Sequence, residues 1–299
     1  MTREALLAAF EAAAARVVPL DGMSKLARLS RLKGRYASYA LRRLTPGPST
    51  APLFWGKPMR TGPAGHSAPL HLFGLLEASA ELKLTRWLIK TLDPSDAFVD
   101  VGANFGFYSL LAQELGVAKI AAFEPVPAVF ALLTENASGT RIEPRRLAVS
   151  DREGRIAFDE APPTHPGGST VDAAAWVAPG SPMLDFKRIE VDATTLDAFC
   201  AAGKFVPTVV KIDVEGAEDR VVAGARATLT RHSPSVVIEV WKPPVVNKTH
   251  HAAIASLRAL DYRAHAITDG GGLAPLDDAG VSRELSGGET ANLVFKKHA

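Results

Sequence analysis

Cysteine is almost missing from this sequence: Cys200 is the only one in 299 residues. No internal disulfide, thiolate metal cluster or CxxC redox pair can therefore form, and a reducing, cytoplasmic setting is expected. No uncharged apolar run reaches the eighteen residues that a bilayer-spanning helix needs. The first apolar stretch, LLAAFEAAAA, contains Glu11 and follows Glu4, unlike the basic start and clean apolar run of a secretory signal. Two phosphate-binding patterns are also absent: neither GxGxxG nor GxxxxGK[ST] occurs, which argues against a pyrophosphate ligand. What remains is an ordinary soluble composition, 47% hydrophobic and 22% charged, which excludes disorder and collagen-like repetition.

Acidic residues are missing from one region. Between Gly22 and Leu76 there is no Asp or Glu, while Lys25, Arg28, Arg31, Lys33, Arg35, Arg42, Arg43, Lys57 and Arg60 stand there. The other segments hold 25 basic against 32 acidic residues, so a basic leader precedes an acidic body. Such a leader suits peripheral contact with an anionic membrane or a phosphate-bearing substrate; the competing reading is a solvated helix face.

The first 70 residues read as a helical extension followed by a connector. Ala and Leu content predicts a helix over 2–18, and helical spacing of Leu26, Leu29, Tyr36, Ala40 and Leu44 predicts another over 24–44. Six prolines and four glycines between Thr45 and Leu70 stop any helix, leaving room for one short strand around LFW. A domain boundary is expected there, with residues 71–299 forming the second unit.

In that unit strands and helices alternate. AFVDV (97–101), KIAAF (119–123), TVVKIDV (208–214) and SVVIEVW (235–241) are short, nearly apolar runs suited to strands buried on both faces. FYSLLAQELG, PAVFALLTENA and EDRVVAGARATLTR carry helical spacing, and REGRIAF suggests a hairpin turning at Gly154. A helix near HHAAIASLRAL, a strand at YRAHAIT and a closing strand at ANLVFKK follow. The α/β fold expected is a mainly parallel sheet with an antiparallel closing strand and helices on both faces. Ligands of such sheets sit at the carboxyl ends of the strands.

The first strand end reads VDVGANFG, where Gly102 permits a tight turn and Gly106 lets a helix start close to a ligand. Glu124 ends the second strand 22 residues later, placed to accept both hydroxyls of a ribose. An adenosine without pyrophosphate fits the pair best.

The succession VDVGANFGFYSLLA, AFEPVPAVFALLTENA, LAVSDREG, VVKIDVEGAEDRVVAGA and VVIEVW resembles the FkbM family of S-adenosylmethionine-dependent methyltransferases, of the Rossmann-like class I superfamily. The likeness covers about residues 72–241, and KIDVEGAE is its most specific piece. It implies S-adenosyl-L-methionine as cofactor, with Asp100, Gly102, Asn104 and Gly106 around the methionine portion and Glu77 reaching its ammonium. Glu124 would hold the ribose, Val149, Ser150 and Asp151 would border the adenine, and Asp213 would lie near the methyl group.

Methyl transfer to a hydroxyl releases a proton, which motivates a general base; Asp213 and Glu215, after the fourth strand, are the candidates. Glu218 and Asp219 read instead as first-turn acids favourable to a helix dipole. Asp213 with Glu239 could begin a cation site, but no ligand-rich motif supports one and no metal is expected. Candidate substrate contacts are His165, in the Pro/Gly-rich loop DEAPPTHPGGST, Glu239, and Trp241 for stacking on a ring. Adjacent His250 and His251 read as surface residues. The family is associated mainly with O-methylation, which implies a hydroxyl of a sugar, glycolipid headgroup or natural product as acceptor. Nucleic acid is not expected, since no NPPY-like or Cys-nucleophile motif occurs. A nicotinamide-dependent oxidoreductase and a non-catalytic adenosyl-binding scaffold are the alternatives.

Overall fold

The computed structural model describes residues 1–17, 47–63, 67–162, 169–170, 185–240, 248–286 and 290–297. The expected helix over 24–44, most of the basic leader, His165 and Trp241 lie outside the described residues. In chain order the elements are α1 (Arg3–Val17), the strands β1 (Ser49–Pro52) and β2 (Pro58–Thr61), the helices α2 (Ala68–Phe73) and α3 (Ser79–Thr91), then β3 (Ala97–Val101), α4 (Phe107–Glu114), β4 (Lys119–Phe123), α5 (Pro127–Ala137) and β5 (Ile142–Arg145). There follow β6 (Ala148–Val149), β7 (Gly154–Glu160), β8 (Lys187–Thr194), α6 (Leu196–Gly203), β9 (Val209–Ile212), α7 (Glu218–Ala223), α8 (Arg226–His232) and β10 (Ser235–Val240). The chain closes with α9 (Lys248–Arg258), β11 (Tyr262–Ile267), β12 (Leu273–Pro275), α10 (Asp278–Ser286) and β13 (Ala291–Lys297).

Eight strands form the main sheet in the order β12-β11-β13-β10-β9-β3-β4-β5. The run from β10 to β5 is parallel, and β13 enters antiparallel between β10 and β11. The chain order reverses between β9 and β3, so the crevice above those two strand ends is where a ligand belongs.

Strand periodicity divides the core into two layers, because successive side chains point to opposite faces. Phe98, Ile120, Ala122, Val209, Val237 and Val294 share one core with α1, α3, α4 and α5. Val99, Val101, Ala121, Phe123, Val210, Ile212 and Ile238 build the other core, with α6, α7, α8 and α9. α1 belongs to the first layer: Leu6, Phe10, Ala13, Ala14 and Val17 are buried in it.

Three local expectations are corrected. LFW is not a strand: Leu53–Trp55 lies in the loop of a hairpin formed by β1 and β2. The turn before Gly154 does not close a hairpin either. β7 pairs antiparallel with β8, while β6 pairs with the other edge of β8, giving a separate sheet of order β6-β8-β7. The helix read over 218–231 is two helices, interrupted at Gly224. A Cβ at Gly224 would stand 2.0 Å from the carbonyl oxygen of Ser150, so the break brings α7 directly against the end of β6.

Candidate active site

The β3–α4 loop and the β9–α7 loop are packed tightly together. Gly102 has φ +77°, and a Cβ there would lie 1.8 Å from the backbone oxygen of Asp213. Only glycine fits, and its place brings the two loops together at the switch point. Gly106, at φ +91°, caps the start of α4, where a Cβ would meet Leu133 at 2.7 Å.

Glu124 follows the end of β4 and ties the β4–α5 loop to the β3–α4 loop. Its Oε2 accepts from the amide of Asn104 at 3.1 Å, and its Oε1 accepts from Val126 at 2.9 Å. Gly102, Asn104 and Glu124 thus converge on one cleft, whose walls include Val101, Phe123, Leu147, Val149 and Phe158. Burial raises the Glu124 carboxyl to about 7, against the two amide hydrogen bonds that favour its charge. Asn104 holds a left-handed backbone, and its buried Oδ1 has no hydrogen-bond partner among the described residues.

The other side of the cleft is ionic. On the face covered by α3 and α4, the two-residue period places Asp100, Lys211, Asp213, Glu239 and Asn292 at the carboxyl end of the sheet, beyond the apolar Phe98, Val209, Val237 and Val294. Lys211, only 3% exposed, reaches Asp213 Oδ2 at 3.0 Å and Asp100 Oδ1 at 3.7 Å, with the Tyr108 ring 5.2 Å from its ammonium. Burial opposes its charge, but the carboxylates of Asp213, Asp100 and Glu81 prevail and hold its pKa above the ordinary lysine value. Ser109 donates to Asp100 Oδ2 at 2.7 Å. Asp100 is therefore a buried support beneath the cleft and is not among its lining residues.

Carboxyl oxygens of Asp213, Glu215 and Glu239 lie within 4.8 Å of one another. Burial, reinforced by its acidic neighbours, drives the Glu239 carboxyl well above the usual range. The same hard oxygen set is one that a divalent cation accepts. Glu215 adopts φ 55°, and its carbonyl accepts from the Thr170 hydroxyl at 2.6 Å, which holds the loop in that turn.

A sequence profile for the Methyltransferase FkbM domain matches residues 100–264, more than half of the chain. The chain belongs to the FkbM methyltransferase family. Its relatives include the 2-O-methyltransferase NoeI of Sinorhizobium fredii, 31% identical over 174 residues, which are 53% of this chain and 69% of that protein. The hexuronic acid methyltransferase AglP of Haloferax volcanii is 31% identical over 51% of this chain and 59% of its own length. The 31-O-demethyl-FK506 methyltransferase FkbM of Streptomyces tacrolimicus is 34% identical over 50% of this chain and 66% of its own. Among solved structures, a methyltransferase FkbM from Methylobacillus flagellatus aligns with 74% of this chain and 56% of that one, at a TM-score of 0.41 and 15% identity.

S-Adenosylmethionine is the cofactor expected of an FkbM methyltransferase, and the cleft of this family member fits it. The unpaired Asn104 Oδ1 and the Glu124 carboxyl offer acceptors, the apolar wall suits a nucleobase, and the carboxylates suit a cationic amino-acid end. Val149 lines the cleft, whereas Ser150 is buried behind it, its hydroxyl donating to exposed Asp151 at 3.0 Å. Glu77 is exposed and is not among the lining residues. The acid that the helical segment does bring to the cluster is Glu81, one turn further on. It accepts from the Tyr108 hydroxyl and, at 3.0 Å, from Asn292. Burial and then Asp213 raise the Glu81 carboxyl.

One further reading is corrected, for His250 alone: His251 is exposed, and Glu218 and Asp219 do stand in the first turn of α7. His250 is buried, with Nε2 at 3.3 Å from Glu218 Oε2, because α9 packs on α7. Glu218 is likewise buried and accepts from the Gly216 amide at 3.1 Å, so it shapes the β9–α7 loop. Burial lifts Glu218 to about 7 and pushes His250 down to about 4, leaving the histidine neutral at physiological pH.

Proposed function

We propose that this chain is an S-adenosylmethionine-dependent O-methyltransferase acting on a hydroxyl of a sugar, glycolipid headgroup or natural product, on the cytoplasmic side of the cell. The observation that carries it is the carboxylate trio Asp213, Glu215 and Glu239 standing at the switch point beside the glycine loop and Glu124. When bound, the cofactor supplies a methyl group on a sulfonium. Gly102, Asn104, Glu124 and Val149 would hold it. Asp213 accepts the proton that the acceptor hydroxyl releases, and Lys211 fixes the carboxylate in place for that task. Glu215 and Glu239 orient the acceptor through hydrogen bonds to its hydroxyls. The relatives support the acceptor class, since the names of two of them specify a 2-O position and a hexuronic acid. Membership of a methyltransferase family disfavours the nicotinamide alternative.

The test combines calorimetry with labelled methyl transfer into cell extract. S-Adenosylmethionine is expected to bind and NAD is not, and one product shifted by a methyl group is expected. Asp213→Asn is expected to keep cofactor affinity and lose at least ~100-fold in turnover, the scale of a removed general base. Unchanged turnover in that variant removes Asp213 from the mechanism. The basic leader is assigned to peripheral contact with an anionic membrane or a phosphate-bearing acceptor. Its last two cations are engaged within the fold, Lys57 with Glu114 at 2.7 Å and Arg60 with Glu135 at 3.0 Å, so the contact falls to residues 25–43.

A further inference from the structure

A second groove, of about 490 Å³, opens at the same edge of the sheet but beyond β10. It lies between the first turn of α3, the end of β11 and the start of β13, and Ser79, Lys83, Thr268, Asp269, Thr290 and Asn292 line it. Its lining, among the described residues, contains no aromatic side chain; hydroxyl, amide and charged groups stand among alkyl ones. Asn292 connects this groove to the carboxylates. It is the cross-strand partner of Glu239, and its side-chain amide donates to Glu81 at 3.0 Å. Strands are spaced by about 4.8 Å, so β13 lies roughly 10 Å from β9 and from Asp213. A single sugar whose hydroxyl met Asp213 would cover β10 and end where the groove begins.

From this placement we infer that the groove is a subsite for a second, neutral sugar, and that the acceptor is an oligosaccharide or glycoside rather than a free monosaccharide. This rests on the sugar-hydroxyl reading given above. Hydroxyl-rich rings without a strong aromatic platform are matched by hydroxyl and amide side chains that satisfy each polar group they bury. Neutrality follows from the rim. Lys83 is paired with Asp269 at 3.1 Å, and Glu284 also lines the groove, so among the described residues its charge is net negative and a uronate is disfavoured there. Ser79 is exposed, which makes it a position where a large side chain fills the groove without disturbing the core.

The experiment measures transfer of labelled methyl from S-adenosylmethionine to glucose, fucose and glucuronate. Each is offered free and as the non-reducing unit of a disaccharide whose second sugar is neutral. The disaccharides are expected to exceed the free sugars by about ten-fold or more in kcat/KM, the value of one or two well-made hydrogen bonds. Ser79→Trp is expected to remove that excess, leaving transfer to free sugars and calorimetric cofactor binding unchanged. Lys83→Trp checks the same groove from the next turn. Equal rates for both sugar forms in the unaltered protein, or an excess that survives both variants, overturns the subsite and leaves the sugar reading standing. If cofactor binds but neither sugar form is methylated, the sugar reading itself falls and the subsite with it.

Discussion

Glu124 shows how much a single side chain carries here. Its carboxyl is buried, both of its oxygens accept backbone amides, and it stands at about 7 rather than 4.5. Because its folded-state pKa is raised, the group favours the fold below pH 4.5, and that contribution is lost as the pH climbs through 7. Ribose hydroxyls donate best to an ionised carboxylate, so cofactor affinity should move the other way. Calorimetric Kd for S-adenosylmethionine is expected to fall as pH rises from 6 to 8, and Glu124→Gln should flatten that dependence. Glu124→Ala, which also releases the amides of Asn104 and Val126, should weaken binding by at least ~10-fold, as expected when charge-assisted hydrogen bonds are lost. An alanine variant that binds as tightly as the parent takes Glu124 out of the cofactor site. This residue was legible from its distance to Gly102 and its place after a strand. Lys211 stands in KIDVEGAE, but two of its partners, Asp100 and Glu81, are distant in sequence. A lysine in a strand buried on both faces must be paired, and that was the available signal. Glu81 gave no such signal, because an acid in a helix's first turn reads as a solvated one.

At the scale of elements, local pattern succeeded where burial alone determines structure. AFVDV, KIAAF and ANLVFKK are strands over the residues read, because each is enclosed by sheet and helix. It failed where the partner is distant in sequence. Nothing near Gly154 announces that β7 will pair with residues 187–194. Gly224 is another such case, since a glycine within a helical pattern reads as a tolerated weakness until its tertiary contact is known. Here the Ser150 carbonyl occupies the space that a side chain would need, and Ser150 follows the cleft residue Val149. Gly224→Ala should therefore destabilise the protein by about 1–3 kcal/mol through overpacking. It should also weaken cofactor binding by moving the end of β6, an effect that urea unfolding and calorimetry resolve separately. A variant with unaltered stability contradicts the close contact between α7 and β6.

For the molecule as a whole, the question is whether the first helix is an appendage or part of the machine's frame. The sequence separates residues 1–70 from the rest on composition, and the proline-rich connector is visible without a structure. The packing of α1 is not visible there, because its apolar stripe is compatible with any partner. In the fold α1 lies on α3, the helix that supplies Glu81 to the cluster and Ser79 and Lys83 to the second groove. Phe10 is fully buried against Phe54 at 5.4 Å between ring centroids, and the Arg86 guanidinium of α3 stands 5.0 Å over its ring. Arg86 also grips Glu11 through two hydrogen bonds, of 2.6 and 2.8 Å. Removing the ring leaves a cavity in the layer that positions α3. Phe10→Ala is expected to cost about 3–5 kcal/mol in urea unfolding, the range for an aromatic lost from a core. Glu11→Gln, exposed and still able to accept from Arg86, should cost less than ~1 kcal/mol. A detachable leader would instead make both substitutions silent and let unfolding of residues 71–299 proceed at an unchanged midpoint. The contrast between the two variants therefore decides whether α1 helps to hold the acceptor side of the site.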